Sequence, residues 1–463
     1  MITKNVPKNK DQSKNLTCIN PDTAGIDIGS KSHFVAIPRD KDQQYVREFQ
    51  TFTNDLINLV NWLKEKNIKS VAMESTGVYW IPVYDLLEQH GFEVLLVNAR
   101  HIKNVPGRKT DVQDCQWIQQ LHSYGLLSGS FRPKDLILKM RVYMRQRATL
   151  IEYGASHIQH MQKALCLMNL QLHNVISDIT GATGMNIIRD IVNGERDPVK
   201  LANHRDGRCK NSEEIIQESL IGNYTEEHVF CLKQSLALYD FYAAEIGKCD
   251  AEIKQLIEKM ESIAQNQKEV AKEKPLDHQQ SKKPAPKRDP HKHGFKFDMA
   301  KEMQRITGVD LTAVPGLNVQ TIAVVISEIG TDMSKWKTSK HFASWLGLCP
   351  RNKISGGKIL SSKTCPSANK AAAALRKSAN SLYRADCALG GFFRRMRSRL
   401  GAPKAITATA HKLAVILYNM LKDGLEFIET GAKYYEEQYR HKCVKNLHRR
   451  ANELGFAIIP LLA

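Results

Sequence analysis

Four acidic residues of the 463-residue chain sit where a carboxylate can do chemistry. Asp27 lies in the middle of 25-GIDIGSKSHFVAI-37, an otherwise apolar run, and Glu74 closes the apolar stretch SVAMES. Asp111 and Asp114 lie three apart in KTDVQDCQWIQQLH, on one face of a predicted helix. Carboxylates at a strand centre, a strand end and a helix start can converge on one edge of a sheet. Such a set suits one or two Mg²⁺ ions, hard cations that prefer carboxylate and water oxygen. Two such ions about 4 Å apart activate a nucleophile and stabilise a leaving oxygen in phosphodiester chemistry. Each residue also has a plainer reading: a turn for Asp27, a cap on a helix from Val78 for Glu74, an acidic first helical turn for Asp111 and Asp114. The rival chemistry for GIDIGS is the phosphate-binding turn of a sugar-kinase or actin-like ATPase. It requires a second Asp-rich turn and a late Gly-rich adenosine loop, and the chain shows neither.

A second group lies in 345-WLGLCPRNKISGGKILSSK-363. Ser355 precedes Gly356 and Gly357, which let backbone approach a phosphate closely, and Arg351, Lys353, Lys358 and Lys363 surround it. Cations so placed stabilise charge developing on phosphorus. The serine reads either as a nucleophile, with no base of its own in the segment, or as part of a basic hairpin turn that only grips phosphate. In 314-VPGLNVQT-321, Gly316 reads as a helix-hairpin-helix-like turn that presents backbone N–H groups to a phosphate, or as a plain Pro-Gly helix break. Lys109 and Arg376 complete the candidate nucleic-acid contacts.

The elements that must position these residues follow from periodicity. After a polar lead-in (1–21), residues 22–135 read as three strands, a helix, a strand, a helix and a strand, an α/β layer. Residues 136–265 hold two long amphipathic stretches around an irregular connector. They read as a helical hairpin or coiled coil or equally as an ordinary helical core, the heptads being too irregular to choose. Residues 266–300, rich in Lys, Pro, Gln and His, read as a basic linker. A mainly helical domain is expected over 301–463.

Bulk composition narrows the partners. The net charge is +19, and nucleic acid is the commonest reason for such an excess. No apolar run is long enough to cross a membrane, and the N-terminus lacks the apolar core of a secretion signal. The ten cysteines form no CxxC pair, which points to reduced thiols in a cytoplasmic protein.

The joint order GIDIG, AMEST, KTDVQDCQW and SFRP, then VPGL, FASWLGLCPR, ISGGK and ALR, resembles the DEDD transposases of insertion sequences 110 and 1111. KTDVQDCQWIQQLHSYGLLSGSFRP is closest to the 1111 branch. The resemblance covers roughly 22–150 and 305–425. It implies a RuvC-like, ribonuclease H-fold N-terminal domain whose four Mg²⁺-binding acids map onto Asp27, Glu74, Asp111 and Asp114. It further implies a C-terminal transposase domain with its nucleophilic serine at Ser355. A composite site across a homodimer or tetramer, a transient serine–DNA link and a non-coding bridge RNA that pairs with donor and target DNA also come with it. The chain departs from the pattern in the Lys/Pro/His-rich stretch, in the Ser-rich LSSKTCPSANK, and at Cys115, where the family often carries Ala. The expected activity is that of a site-specific DNA recombinase at the nucleoid. The rivals are a RuvC-like junction nuclease using water and a catalytically silent, nucleic-acid-binding element remnant.

Overall fold

The computed structural model describes residues 17–98, 110–133, 135–262 and 293–459. The chain divides into two compact units, 1–132 and 133–463.

The first unit is built on a five-stranded sheet: β1 (Thr23–Ile28), β2 (Ser32–Ala36), β3 (Val46–Gln50), β4 (Ser70–Glu74) and β5 (Glu93–Val97), in the order β3-β2-β1-β4-β5. Strands β1 to β3 form an antiparallel meander, and β4 and β5 add in parallel on the other side of β1. Strand alternation sends Ala24, Ile26 and Ile28 of β1 to one face. There they join Val71 and Met73 of β4 with Leu59 and Leu63 of α1 (Thr53–Glu65) and Val83 and Leu87 of α2 (Trp80–Gln89) in one core. The other face of β1 and β4 is covered by α3 (Asp111–Ser123), whose Ile118 packs with Ala72 and Val97.

The second unit is organised by two long helices, α4 (Asp135–Leu167) and α9 (Glu226–Glu258), which pack along each other. The connector between them is ordered, contrary to its irregular reading. It folds into four short helices, α5 (Leu172–Val175), α6 (Ala182–Val192), α7 (Pro198–Ala202) and α8 (Glu213–Ser219), around Ile187, Ile188, Leu201 and Leu220. Beyond residue 293 come α10 (Met299–Thr307), α11 (Val319–Ile329), α12 (Ser339–Trp345), the hairpin β6–β7 (Lys353–Ser355, Lys358–Ser361), α13 (Lys370–Ser381), α14 (Ala388–Leu400), α15 (Ala402–Asp423) and α16 (Ala432–Glu453).

A buried ion pair joins these parts. Arg147 of α4 donates to Asp250 of α9 at 2.6 Å, with both side chains about 5% exposed or less. The same guanidinium donates to the His293 carbonyl at 2.8 Å and lies over the Phe295 ring. The last residues of the segment read as a linker are therefore fastened to the long helices. The rest of that segment, through residue 292, lies outside the described residues. On the next turns of α4, Arg141 and Arg145 both pair with buried Glu328 of α11. Removing one member of a buried pair strands the other charge, so Arg147→Ala is expected to cost about 3–5 kcal/mol in urea unfolding. The paired replacement Arg147→Met with Asp250→Leu should recover most of that loss.

Candidate active site

The acidic site depends on how closely α3 can lie on the sheet. A Cβ built on Gly25 would stand 2.2 Å from the backbone nitrogen of Gln119 and 2.5 Å from the carbonyl oxygen of Cys115. No side chain fits there, so glycine lets the helix backbone rest directly on β1. Contacts on either side set the register. Gln119 Nε2 donates to Thr23 Oγ1 at 3.3 Å, and Ser70 Oγ shares a 2.6 Å hydrogen bond with His122 Nε2. Helix α3 thus runs against the strand direction, with Gln119 beside Thr23 and Cys115 beside Gly25. A helical turn of about 5.4 Å roughly matches two strand residues of about 6.6 Å. The next step brings Asp111 towards Asp27. On β4 the same ladder runs from Ser70 and His122 through Ala72 and Ile118 to Glu74 and the Asp114 end of the helix. Thr110 starts α3 as its cap, its side chain accepting from the Gln113 N–H.

The charge around Asp27 is consistent with that placement. Asp27, half-buried on β1, has its carboxyl pushed up to about 6, first by burial and then by the negative fields of Asp111, Asp114 and Glu74. Neighbouring Cys115 is pushed up to about 12 by burial and by Asp27. Glu74 accepts a hydrogen bond from Thr76 Oγ1 at 3.2 Å. Among the described residues, no three His, Cys, Asp or Glu side chains are gathered tightly enough to hold an ion as they stand. The four acids converge around Asp27 without closing a coordination shell. Their chemistry nevertheless fits a hard divalent cation: hard oxygen donors alone, with mutual repulsion that a cation would relieve.

The candidate residues of the second unit form a separate group. Ser355 ends β6 and pairs with Lys358 of β7. Gly356 and Gly357 form the two-residue turn with φ of 54° and 75°, the left-handed pair that a tight hairpin requires. Alternation places Lys353 on the Ser355 side of the strand, and Ile354 and Ile359 pair on the other. Below the strands, the Arg351 N–H donates to the Lys363 carbonyl at 3.0 Å. The whole β6 strand is exposed, so Ser355 stands at an accessible, cationic tip.

Two other candidates have structural occupations. Gly316, at φ 86°, turns the chain into α11 and lies against Leu382 and the Ser378 carbonyl of α13. The start of α11 is capped by Asn318, which accepts from the Thr321 N–H at 2.8 Å. Arg376 donates to the Gly347 carbonyl at 3.3 Å. Lys109 lies outside the described residues.

Sequence reasoning finds the carboxylates and passes over Gly25, Thr23 and Gln119, which set their register. The signal that could have found them is the G-x-D spacing, which puts Gly25 and Asp27 on one strand face, and the Asp111–Cys115–Gln119 spacing on one helix stripe.

Asp27, Glu74, Asp111 and Asp114 thus lie towards one end of the contact between α3 and the sheet, within the first unit's α/β fold. The DEDD transposase IS110 model, described as a transposase, matches residues 24–169 and so spans all four acids. The "Transposase IS116/IS110/IS902 family" model matches 310–390, which contains Ser355. Both matches, in this order along the chain, make it similar to transposases of the IS110 type. It is also similar to the insertion element IS110 uncharacterized 43.6 kDa protein of Streptomyces coelicolor, at 33% identity over 116 residues. That match covers 25% of this chain and 28% of the relative.

Replacing Gly25 by Ala should lift α3 from β1. Divalent-metal affinity by titration calorimetry is expected to fall at least about tenfold, a loss of the size seen when ligand-orienting residues are removed. Asp27 titrates near 3.8 in the unfolded chain and about 6 in the folded one. The folded state therefore binds this proton more tightly. Stability should be fullest below about pH 4 and decline by about 2–3 kcal/mol as pH rises through about 6. Asp27→Asn should flatten that part of the pH–stability curve in urea unfolding.

Proposed function

We propose that this protein is a site-specific DNA recombinase that excises and inserts its own mobile element. The observation that carries the reading is the gathering of Asp27, Glu74, Asp111 and Asp114 by one helix laid on one strand pair. The β3-β2-β1-β4-β5 order, with its antiparallel meander and two parallel additions, supports a RuvC-like, ribonuclease H-type unit.

In this reading the four carboxylates hold one or two Mg²⁺ ions, which would supply charge neutralisation at phosphorus and activation of the attacking oxygen. Ser355 is the nucleophile. Its Oγ forms a bond to the DNA phosphorus, its proton leaves to a carboxylate or water, and the 3′-oxygen departs. The phosphoserine bond conserves the energy of the broken linkage, so a 3′-hydroxyl from a new partner can reverse the step without ATP. Lys353 and Lys358, flanking the serine on its hairpin, stabilise the developing phosphorane charge. Arg351 and Lys363 extend the basic base of the hairpin, and Gly356 and Gly357 keep its tip narrow. We place Lys109, Gly316 and Arg376 at the nucleic-acid backbone as secondary contacts. Assembly as a homodimer or tetramer would bring serine and acids together, and a non-coding guide RNA, implied by the family resemblance, would choose the sites. The +19 charge suits two nucleic-acid partners.

Recombination of a plasmid carrying the element ends tests this. Ser355→Ala and Asp27→Ala should each lower product by at least about 10³-fold, as loss of a nucleophile or of its activating group does. Protease digestion of a wild-type reaction should leave a peptide on the cut strand through Ser355. A Ser355→Ala protein that still cuts, with no trapped peptide in the wild type, would convert the assignment to a water-using nuclease. DNA binding should survive both substitutions and weaken steeply with salt.

A further inference from the structure

Among the described residues, the helix α16 (Ala432–Glu453) is held at one end only. Its first turns pack on α14, with Tyr435 and Tyr439 against the Arg395 guanidinium at 4.9 and 3.8 Å from the ring centroids. From Cys443 to the end of the helix, every residue except His448 and Ala451 is exposed. Eleven residues of unsupported helix are marginal in water, so this half calls for a partner.

The sequence of α16 says what kind. Tyr439, Cys443, Leu447 and Leu454 fall on one stripe at helical spacing and continue the buried line that Ala432 begins. Leu447 is 58% exposed and Leu454 is 73% exposed. Lys442, Lys445 and Arg449 lie away from that stripe. A nucleic-acid backbone would be met by the basic side, whereas the stripe is apolar. The charge along the stripe is also polar end to end, with Glu436 near its start and Arg450 near its end.

We propose that this stripe is covered by α16 of a second copy of the chain, antiparallel, with the two-fold axis at Cys443. In that register Tyr439 of each copy faces Leu447 of the other, and Glu436 faces Arg450. One self-complementary patch thus satisfies both the apolar surface and the charges, as an isologous interface must. Ala432 and Leu454 fall opposite each other at the ends. The inference stands independently of the nucleophile assignment.

The test uses the full-length chain with Cys18, Cys166 and Cys231, the other exposed cysteines, replaced by Ser. A short bismaleimide should link two copies through Cys443, and Cys443→Ser should abolish the product. Glu436→Arg should lower the linked yield roughly fivefold, since like charges replace opposite ones at both symmetric positions. Adding Arg450→Glu should restore the yield, which a merely unfolded helix would not do. Absence of a Cys443-dependent link at concentrations where the chain self-associates would overturn the proposal. So would a link unaffected by Glu436→Arg, or an effect of Leu447→Asp confined to DNA or RNA binding.

Discussion

Everything in the acidic site depends on one close approach, that of the α3 backbone to β1 across Gly25. Helices ordinarily rest on sheets through side chains, which leaves their register adjustable by rotamer changes. Here the contact is backbone on backbone, with no room even for a methyl group. Two hydrogen-bonded pairs, Gln119 with Thr23 and His122 with Ser70, prevent sliding along the strands. Carboxylates at the free end of this ladder are held by packing remote from themselves. Burial first, and then the negative charge of its three neighbours, raises the affinity of Asp27 for a proton. Like charges held together in this way cost stability, a pattern that is commoner at functional sites than elsewhere.

The second unit solves a different problem with different means. Its long helices carry the C-terminal helices by buried charge: Arg147 with Asp250 and the returning chain, Arg141 and Arg145 with Glu328. Buried ion pairs contribute little net stability but define a single arrangement, because every other pairing leaves a charge stranded. The hairpin bearing Ser355 is treated in the opposite way. It is short and solvent-exposed, with Ile354 and Ile359 both 62% exposed. A two-stranded ribbon of this kind is marginal alone. The hairpin projects from a unit whose packed helices resume after it with buried Ala371 and Leu375.

Much of this is legible in the sequence, for identifiable reasons. The strands of the first unit show because their apolar residues run in short blocks between turn residues. Asp27 and Glu74 show because each interrupts or closes such a block, and Asp111 and Asp114 because they lie three apart at a helix start. Ser355 shows because Ser-Gly-Gly stands among lysines. What is not legible depends on contacts between distant segments. Gly25 looks like any strand glycine until Cys115 and Gln119 are laid over it. The connector over 168–225 looks irregular because its helices are short, and their common core of Ile187, Leu201 and Leu220 forms only in three dimensions. Arg147 is one of many basic residues on an amphipathic helix, and nothing local marks it as buried. The structural occupation of Gly316 and Arg376 is hidden for the same reason: the partners that occupy them come from elsewhere in the chain.

The ladder across Gly25 also has a consequence in time. All its rungs, from Thr23 to Ser123, precede the second unit along the chain, and domains generally fold in order of synthesis. The first unit can therefore close its core and gather its acids while later segments are still being made. Helix α4 must wait for α9, with the four short helices made in between, before its inner face is covered. The tip that carries Ser355 emerges later still. Synthesis itself thus sets the gathering of the acids before the appearance of the Ser355 hairpin.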